Sequence, residues 1–339
     1  MGTYVLKRVL LFIPTFIVIT IITFLICRLA PGDPVEMKVG GNTQEGMSAN
    51  NKNVINEQAK KFYKEKFGLD KPLPMQYFIW MGNMMTGDFG KSFKDDRPVL
   101  DKIVERLPIS IALQLSSFIL IYSIAIPIGI FSAVKQNSFW DKASTVILFI
   151  LYSLPNFWVA TLAIVFLANS EYIKIFPTSG IQSLTYNYMS TFGQIWDRIW
   201  HFILPVTILS LGSFAFLSKQ MRSSMLEVIR QDYIRTAKAK GLSDRKVVYK
   251  HALRNSLIPI LTILAGILPA MVGGSFIIET IFSIPGIGQL GIQAIYDRDY
   301  PLIMALLAIV SVLTVIGVLI ADILYAVVDP RIAFSKKTS

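Results

Sequence analysis

Long runs of apolar residues without a charged side chain dominate the pattern along this chain. A helix needs about 20 apolar residues to cross the hydrocarbon core of a bilayer. Six charge-free runs reach or approach that length, and we interpret them as six transmembrane helices: Val9–Cys27, Ile109–Val134, Ala143–Ala168, Ile199–Ser218, Asn255–Ile278 and Pro301–Ala321. The pattern therefore predicts an all-α integral membrane protein.

The composition agrees with a lipid environment. Apolar residues make up 53% of the chain and charged residues 16%, against about 25% charged in soluble proteins. The first run follows Lys7 and Arg8 and so resembles a signal peptide. It is too long for a typical signal core, and the segment from Arg28 to Pro34 is a poor cleavage site. We therefore interpret it as a retained helix.

The short loops predict the orientation, because Lys and Arg concentrate on the cytoplasmic side. Residues 219–254 alone hold ten basic side chains, and Lys135 and Lys142 fall on the same side. The short loops of the other side, 169–198 and 279–300, hold few. We expect both termini to be cytoplasmic. The net charge of +11 is explained by this bias and by anionic lipid headgroups, without nucleic acid.

The spans divide the chain into regions. They are the first helix at 1–30, an extracytoplasmic loop subdomain at 31–108, the membrane core at 109–327 with its cytoplasmic loop at 219–254, and a tail at 328–339. Within the outer region we predict a polar helix over 51–67 and a second helix from Pro74 to Met85. The end of the tail, Ser335–Ser339, is predicted to be disordered.

Catalytic and metal-binding patterns are absent from the sequence. Arg28, Glu279 and Asp322 fall at the ends of apolar runs, so no chain of ionisable groups crosses the bilayer. This argues against a proton-driven pump, an intramembrane protease and an ion-coupled secondary transporter. Cys27 is the one cysteine, and the two histidines are far apart. We expect a protein that is not an enzyme and that holds no metal and no cofactor.

Gly90-Lys91-Ser92 has the outline of the end of a phosphate-binding loop. The full pattern needs a glycine at position 85, where this chain has methionine, and no apolar strand precedes it. We therefore do not interpret the segment as a nucleotide site.

Prolines and glycines interrupt several apolar runs. Asn156 follows Pro155 in the third run, and Gly273, Gly274 and Ser275 adjoin one another in the fifth. Paired glycines weaken a helix, so we take these four residues, Asn156 with Gly273 to Ser275, as candidates for the pathway wall. The alternatives are close helix packing at the glycines and an interhelical hydrogen bond at Asn156.

The cytoplasmic loop has helical periodicity. Leu226, Ile229, Tyr233 and Ala237 recur at spacings of three and four, which predicts an amphipathic helix. Small residues follow, and Gly241 suits a C-terminal cap. Ser243 suits the N-cap of a second helix.

A helix and turn of this kind suit docking into the groove of a partner protein. Contact with lipid headgroups alone is the alternative. A DNA-binding helix–turn–helix has a similar outline, but short connections to the membrane helices keep a duplex away. The residues predicted to couple the chain to its partner are Tyr233, Arg235, Thr236, Ala237, Ala239, Gly241, Leu242 and Ser243.

The segment from Arg235 to Gly241 resembles the EAA loop of ABC importer permeases. That pattern is Glu-Ala-Ala, three residues, Gly, nine residues and then Ile-x-Leu-Pro. Matching positions are Ala237, Gly241 and Leu253, and departures are Arg235, Thr236, His251 and Arg254. Other stretches are similar to the dipeptide/oligopeptide (nickel-type) permease family, in the subunit with the long outer loop: Arg28–Pro34, Gly87–Ser92, Tyr233–Gly241, His251–Pro259, Glu279–Gly288 and Asp329–Arg331.

The resemblance implies a type I importer permease fold in a bacterial or archaeal cytoplasmic membrane. It implies four kinds of partner: a homologous second permease, two ABC ATPase subunits, an extracytoplasmic substrate-binding protein and membrane lipid. Peptides are the implied substrates, and the ATPases would hydrolyse ATP. Nickel and glutathione importers have closely similar permeases, so these substrates stay open.

Overall fold

The computed structural model describes residues 2–29, 61 and 70–328, and that part is helical with no β-strand. The predicted helix over 51–67, the segment 30–34 and the tail from 329 lie outside the described residues. The helices are α1 Gly2–Leu29, α2 Leu73–Met85, α3 Val99–Val134, α4 Phe139–Ser153, α5 Asn156–Ala163, α6 Thr191–Ile229, α7 Asp232–Ala239, α8 244–256, α9 Ile258–Leu264, α10 Ile267–Gly273, α11 Phe276–Ile281, α12 Ile287–Tyr296 and α13 Tyr300–Val328.

Five helical segments in the described part are long and apolar enough to cross a membrane: Leu10–Leu29, Val99–Val134, Thr191–Ile229, Ile258–Ile281 and Tyr300–Leu324. The bent pair α4 and α5 supplies a sixth. The six predicted spans are thus present, and the helix predicted from Pro74 is α2.

The third span differs from the straight helix that its apolar run predicted. α4 and the helix that begins at Asn156 meet at an angle of 90°. Leu154 is extended, with φ −83° and ψ 125°, because the ring of Pro155 disfavours helical backbone in the residue before it. The break therefore follows from one proline, which the sequence analysis noted only as an interruption of the apolar run.

The second span begins earlier than the predicted boundary at 108. α3 starts at Val99 and runs through Pro108, so residues 99–108 belong to the membrane helix and not to a separate outer subdomain. Charged residues such as Asp101 and Glu105 ended the apolar run without ending the helix. Charge marks where hydrocarbon stops, not where helical hydrogen bonding stops.

α3 and α6 form the central pair of the bundle, and small residues bring them together. The hydroxyls of Ser117 and Ser210 are hydrogen-bonded at 2.8 Å, and Ser218 donates to a carbonyl of α3 at 3.1 Å. A Cβ on Gly129 would lie 2.6 Å from Cβ of Met221. Close backbone approach of this kind is how membrane helices gain packing energy without a hydrophobic driving force.

The bundle has two ends. The end that carries α7, α8 and the C-terminus of α6 is called the basic end here. The opposite end carries α2, α11, α12 and the N-terminus of α3. There α2 packs on α1, with the hydroxyls of Thr20 and Tyr77 3.0 Å apart and Tyr77 edge-on to Phe24.

The fifth span is a series of three short helices, α9, α10 and α11. Its first break lies at Ala265 and Gly266, where α13 crosses so closely that a Cβ on Gly317 would overlap the carbonyl of Ala265. The second break lies at Gly274 and Ser275. The span therefore runs from α8 at the basic end to a bend at the opposite end.

Candidate functional site

Helix α7 lies at the basic end, and Gly241 ends it. The N–H of Gly241 donates to the carbonyl of Lys238 at 2.9 Å, and the N–H of Leu242 donates to that of Ala237 at 3.4 Å. With φ +77° at Gly241, these bonds form a Schellman motif. The predicted cap at Gly241 is confirmed. Ser243 holds the N-cap position of α8, without a side-chain cap bond.

α7 is a separate helix and not the continuation of α6. Leu226 and Ile229 belong to α6, and Arg230 with Gln231 interrupts the predicted amphipathic helix before Tyr233. The backbone turns at Arg230 and Gln231, yet the helical spacing of apolar residues continues across this turn. Periodicity alone could not detect this break, because both helices place their apolar residues on the same core.

The inner face of α7 packs against the core of the protein. Ile234 and Ala237 are buried in a cluster with Met225 of α6 and Val247 of α8, and Leu242 packs against it. Ala237 and Leu242 thus face the chain's own core. The small side chain of Ala237 packs within the subunit, and its predicted part in coupling stays a prediction.

The outer face of α7 is exposed. It carries six of the predicted coupling residues: Tyr233, Arg235, Thr236, Ala239, Gly241 and Ser243. A Cβ on Gly241 would meet no atom within 4 Å, so the surface is open at the turn. The exposed ion pair of Lys238 with Asp244, at 3.3 Å, adds little stability. The buried face and the Schellman motif therefore hold this helix in place.

Beside α7, a buried ion pair braces α3, α4 and α6 at the basic end. Arg222 donates two hydrogen bonds of 2.8 Å to the carboxylate of Asp141. Ser132 also donates to this carboxylate, and so does the N–H of Asn137, at 2.9 Å. The sequence analysis missed Asp141. Ser138 three residues before it is a capping signal, and Ser138 is the N-cap of α4.

The pathway candidate Asn156 lies at the bend of the third span, as the first residue of α5. It is half-buried. Among the described residues its side chain makes no hydrogen bond, so the alternative of an interhelical bond is not seen there. α5 packs on the region after the fifth-span break, where Ala160 shares a buried cluster with Ile278 and Phe282.

The two adjacent glycines of the fifth span differ from each other. Gly273 ends α10 in open space, and a Cβ there would meet no atom within 4 Å. Gly274 has φ +65°, and a Cβ on it would overlap the backbone N of Gly288 and lie 2.7 Å from Oε1 of Glu279. The pair is therefore not a loose hinge, because the second glycine is enclosed.

Glu279, which falls near the end of an apolar run, is fully buried at this break. Its Oε1 accepts from Ser110 Oγ at 3.1 Å and from the N–H of Ser275 at 3.1 Å. Its Oε2 accepts from the N–H of Gln289 at 2.8 Å. The carboxylate thus joins α3, α11 and α12. In the sequence, the nearby Gly286 and Gly288 could have indicated the close packing around Glu279.

The segment 87–98 at the opposite end also docks through a buried carboxylate. Asp299 accepts from Ser92 Oγ and, at 2.9 Å, from the N–H of Phe93. Lys102 donates to Ser92 Oγ and to Asp95, each at 2.9 Å. Burial raises the pKa of Asp95, but the hydrogen bonds from Lys102, Ser92 and the N–H of Arg97, with the charge of Lys102, together outweigh it, and the pKa is lowered overall. Gly90-Lys91-Ser92 therefore has a structural role.

Groups of three or more His, Cys, Asp or Glu residues suited to hold a metal are absent from the described residues. The two carboxylates that are most enclosed, Glu279 and Asp299, are hydrogen-bonded to backbone N–H groups and serines. The described polar groups at these sites brace helices, and α7 is exposed on its outer face.

Comparison with protein families identifies the scaffold. Residues 125–334 match the family described as binding-protein-dependent transport system inner membrane component. Residues 1–114 match the N-terminal component of the same transport-system membrane proteins. The chain belongs to the binding-protein-dependent transport permeases. It is thus a multi-pass inner-membrane permease subunit of an ABC importer, and this family of membrane subunits is non-catalytic.

Relatives cover the permease from end to end. The oligopeptide transport system permease protein AppB of Bacillus subtilis (strain 168) is 42% identical over 335 residues, which is 98% of this chain and 100% of AppB. The dipeptide transport system permease protein DppB of the same strain is 35% identical over 338 residues, with 99% and 100% covered.

A solved structure supports the permease fold. The inward-facing MetNI methionine ABC transporter, in its CY5 native crystal form, matches with a TM-score of 0.50 at 17% identity. The match covers 68% of this chain and 97% of the MetNI chain. It confirms the predicted type I importer permease fold. Permeases of this family work in a transporter complex with ATPase and binding-protein partners.

Proposed function

We propose that this permease forms half of the translocation pathway of a peptide importer, paired with a homologous second permease. Two relatives that match it over nearly the whole chain are named for oligopeptide and dipeptide transport. The bent third span and the broken fifth span, with Asn156 and Gly273 to Ser275, form its contribution to the pathway wall. The exposed part of such breaks, as at Gly273 with open space around it, suits contact with peptides of varied sequence.

The coupling site in this proposal is the exposed face of α7. An ATPase subunit receives it in a groove, and a second ATPase receives the corresponding helix of the partner permease. The observation that carries the proposal is the division of α7 into two faces. Ile234 and Ala237 fasten it to the core, while Tyr233, Arg235 and Ala239 are exposed on it.

The basic end faces the cytoplasm in this proposal, so both termini are cytoplasmic. The concentration of Lys and Arg in residues 219–254 supports this orientation. The opposite end then meets an extracytoplasmic binding protein that delivers the peptide. Lys135, at the C-terminal end of α3, and Lys142, in the first turn of α4, face anionic lipid headgroups.

Transport follows from rigid-body motion in this scheme. ATP draws the two ATPases together, and each groove moves the α7 seated in it. Because α7 shares a buried cluster with α3, α6 and α8, displacement of α7 moves the helices behind it. Packed elements of this kind switch between discrete arrangements and do not deform continuously.

Co-purification tests the docking. The chain is isolated in mild detergent from its native membrane, and the accompanying proteins are identified by mass spectrometry. Ala239→Trp adds bulk to the exposed face without a special backbone requirement, and Gly241→Trp adds both bulk and strain. We expect both variants to insert normally, to lose the ATPase and to lose peptide uptake. Gly82→Trp is the matched control, on an exposed glycine of α2 with open space around it.

The outcomes discriminate between the candidate roles. Recovery of a second permease and an ATPase with the wild-type chain, lost in Ala239→Trp and retained in Gly82→Trp, supports the proposal. Normal ATPase recovery and uptake in Ala239→Trp would overturn the docking claim and leave α7 as a lipid-surface helix. A co-purifying binding protein specific for nickel or glutathione would show that this compound, and not a peptide, is the substrate.

A further inference from the structure

Glu279 joins three helices through one buried carboxylate. Its three hydrogen-bond donors are the hydroxyl of Ser110 on α3, the N–H of Ser275 before α11 and the N–H of Gln289 on α12. Ser110 also accepts from the N–H of Ile287, at 2.7 Å. All three groups that are hydrogen-bonded to the Glu279 carboxylate are donors. A side chain with two acceptor oxygens satisfies them, and an amide would turn an N–H₂ toward one of them.

Glycines enclose this carboxylate on the remaining sides. A Cβ on Gly286 would overlap the carboxyl carbon of Glu279, and a Cβ on Gly288 would lie 2.6 Å from the N of Phe276. A Cβ on Gly274 would overlap the N of Gly288 and lie 2.7 Å from Oε1 of Glu279. The unit formed by residues 274–289 is therefore packed backbone to backbone around Glu279, which leaves it no room to bend at Gly274.

The chain connects this unit directly to the docking helix. From Gly241 the chain continues through α8, crosses the bundle as α9 and α10, and reaches the break at Gly274. A displacement of α7 thus arrives at residues 274–289 along one span. Whether that displacement opens the opposite end depends on how firmly the break is held to α3 and α12.

We propose that Glu279 is a positioning residue for transport. It locks residues 274–289 to α3, so that the far end of the fifth span, α12 and the start of α3 move as one rigid body when α7 is displaced. The proposal rests on the function proposed above, in which the ATPases move α7. Glu279 touches no substrate in this scheme, and its effect passes through the helices that it joins.

A distance measured across the lock tests this directly. Spin labels are placed at Val104 on α3 and Tyr296 on α12, both exposed, in a Cys27→Ala background. Pulsed electron spin resonance is recorded on the purified transporter complex in lipid nanodiscs, without nucleotide and after trapping with ATP and vanadate. We expect one narrow distance whose mean changes by less than about 2 Å between the states, the scale of interface helix shifts.

Glu279→Gln removes one acceptor and places donor against donor. We expect a broadened Val104–Tyr296 distance and a fall in peptide uptake of about tenfold, since an unsatisfied buried donor is strongly unfavourable. Basal ATP hydrolysis should persist, so that more ATP is used per peptide. The matched control is Glu105→Gln on α3, an exposed carboxylate paired with Arg97, which should leave distance and uptake unchanged. Ser110→Ala, which keeps the carboxylate, should show a smaller effect of the same kind.

Three results would overturn the lock. One is a wild-type distance that changes by much more than about 2 Å on trapping. Another is a Glu279→Gln protein with unchanged distance and unchanged uptake. The third applies if Glu279→Gln fails to fold: Ser110→Ala then has to broaden the distance, and an unchanged distance contradicts the lock. Failure of the ATPase to co-purify refutes the proposed function instead, and the nucleotide-free distances still test the lock.

Discussion

Two glycines with left-handed backbone lie at opposite ends of the bundle, Gly241 after α7 and Gly274 after α10. Their φ angles are similar, +77° and +65°. Around Gly241 a Cβ would find no atom within 4 Å, whereas around Gly274 it would overlap Gly288 and approach Glu279. The first glycine is needed only for its conformation. The second is needed for its conformation and for the absence of a side chain.

The difference separates two kinds of functional region. At the basic end the turn is open, and the docking helix is fixed from behind by Ile234 and Ala237. At the opposite end the turn is closed around a buried carboxylate. An open turn leaves surface for a partner, while a closed turn transmits movement without offering a surface. This difference agrees with the two proposals, contact with a partner at α7 and rigidity at residues 274–289.

Gly274→Ala should have the largest effect of the changes that test this comparison. Overpacking against backbone costs about 1–3 kcal/mol, and the backbone of Gly274, with φ 65° and ψ −174°, is essentially restricted to glycine and adds about 1–3 kcal/mol for a residue with a Cβ. We expect a clear fall in the thermal unfolding midpoint of the purified chain and in its yield. Gly82→Ala, in open space on α2, is the control and should be neutral or stabilising. Equal stability of the two variants would remove the distinction between closed and open turns.

Ile234→Ala should have the second-largest effect, and this effect should be confined to the basic end. Removing a buried isoleucine side chain costs about 2–5 kcal/mol, here from the cluster that fastens α7 to α6 and α8. We expect reduced ATPase co-purification with retained membrane insertion. Lys246→Ala is the control, because Lys246 is exposed on α8, lies outside the predicted coupling residues and leaves the core intact. Unchanged ATPase recovery in Ile234→Ala would mean that the core does not position α7.

Gly241→Asn should have the smallest effect. Asparagine tolerates left-handed backbone, and the space around Gly241 accommodates its side chain. Gly241→Ala introduces roughly 1–2 kcal/mol of strain and should rank below Asn in stability. The measurement is the unfolding midpoint together with ATPase recovery for both variants. An Asn variant as damaged as Gly241→Trp would show that the turn is closed by a partner even to small side chains.

The sequence predicted what depends on local pattern. Apolar length predicted six spans, and a glycine after an amphipathic repeat predicted the cap at Gly241. The breaks in the third and fifth spans were not predicted in form, because a proline or a glycine pair is compatible with a kink, a packing contact or a full turn. Tertiary neighbours decide between these, as Gly288 and Glu279 do at Gly274.

The burial of the carboxylates could not be predicted from the sequence, for a related reason. Glu279 and Asp141 both adjoin the ends of apolar runs, where exposed charge is the usual arrangement. Their partners are distant along the chain: Ser110 for Glu279, and Arg222 for Asp141. No local spacing relates such pairs. The predicted coupling residues Ala237 and Leu242 show the converse, since their positions in a loop could not predict that both would face the chain's own core.

The right-angled bend at Pro155 has a consequence for how the chain enters the membrane. α4 has 15 residues and α5 has eight, and neither alone reaches the length of about 20 residues that crosses the hydrocarbon core. During synthesis the insertion machinery therefore encounters one continuous apolar run. The run is long enough to cross the membrane only when both of its helices are counted. The bend becomes favourable once α6 and α11 supply the surfaces on which the halves pack. Biogenesis of this region thus depends on segments translated after it.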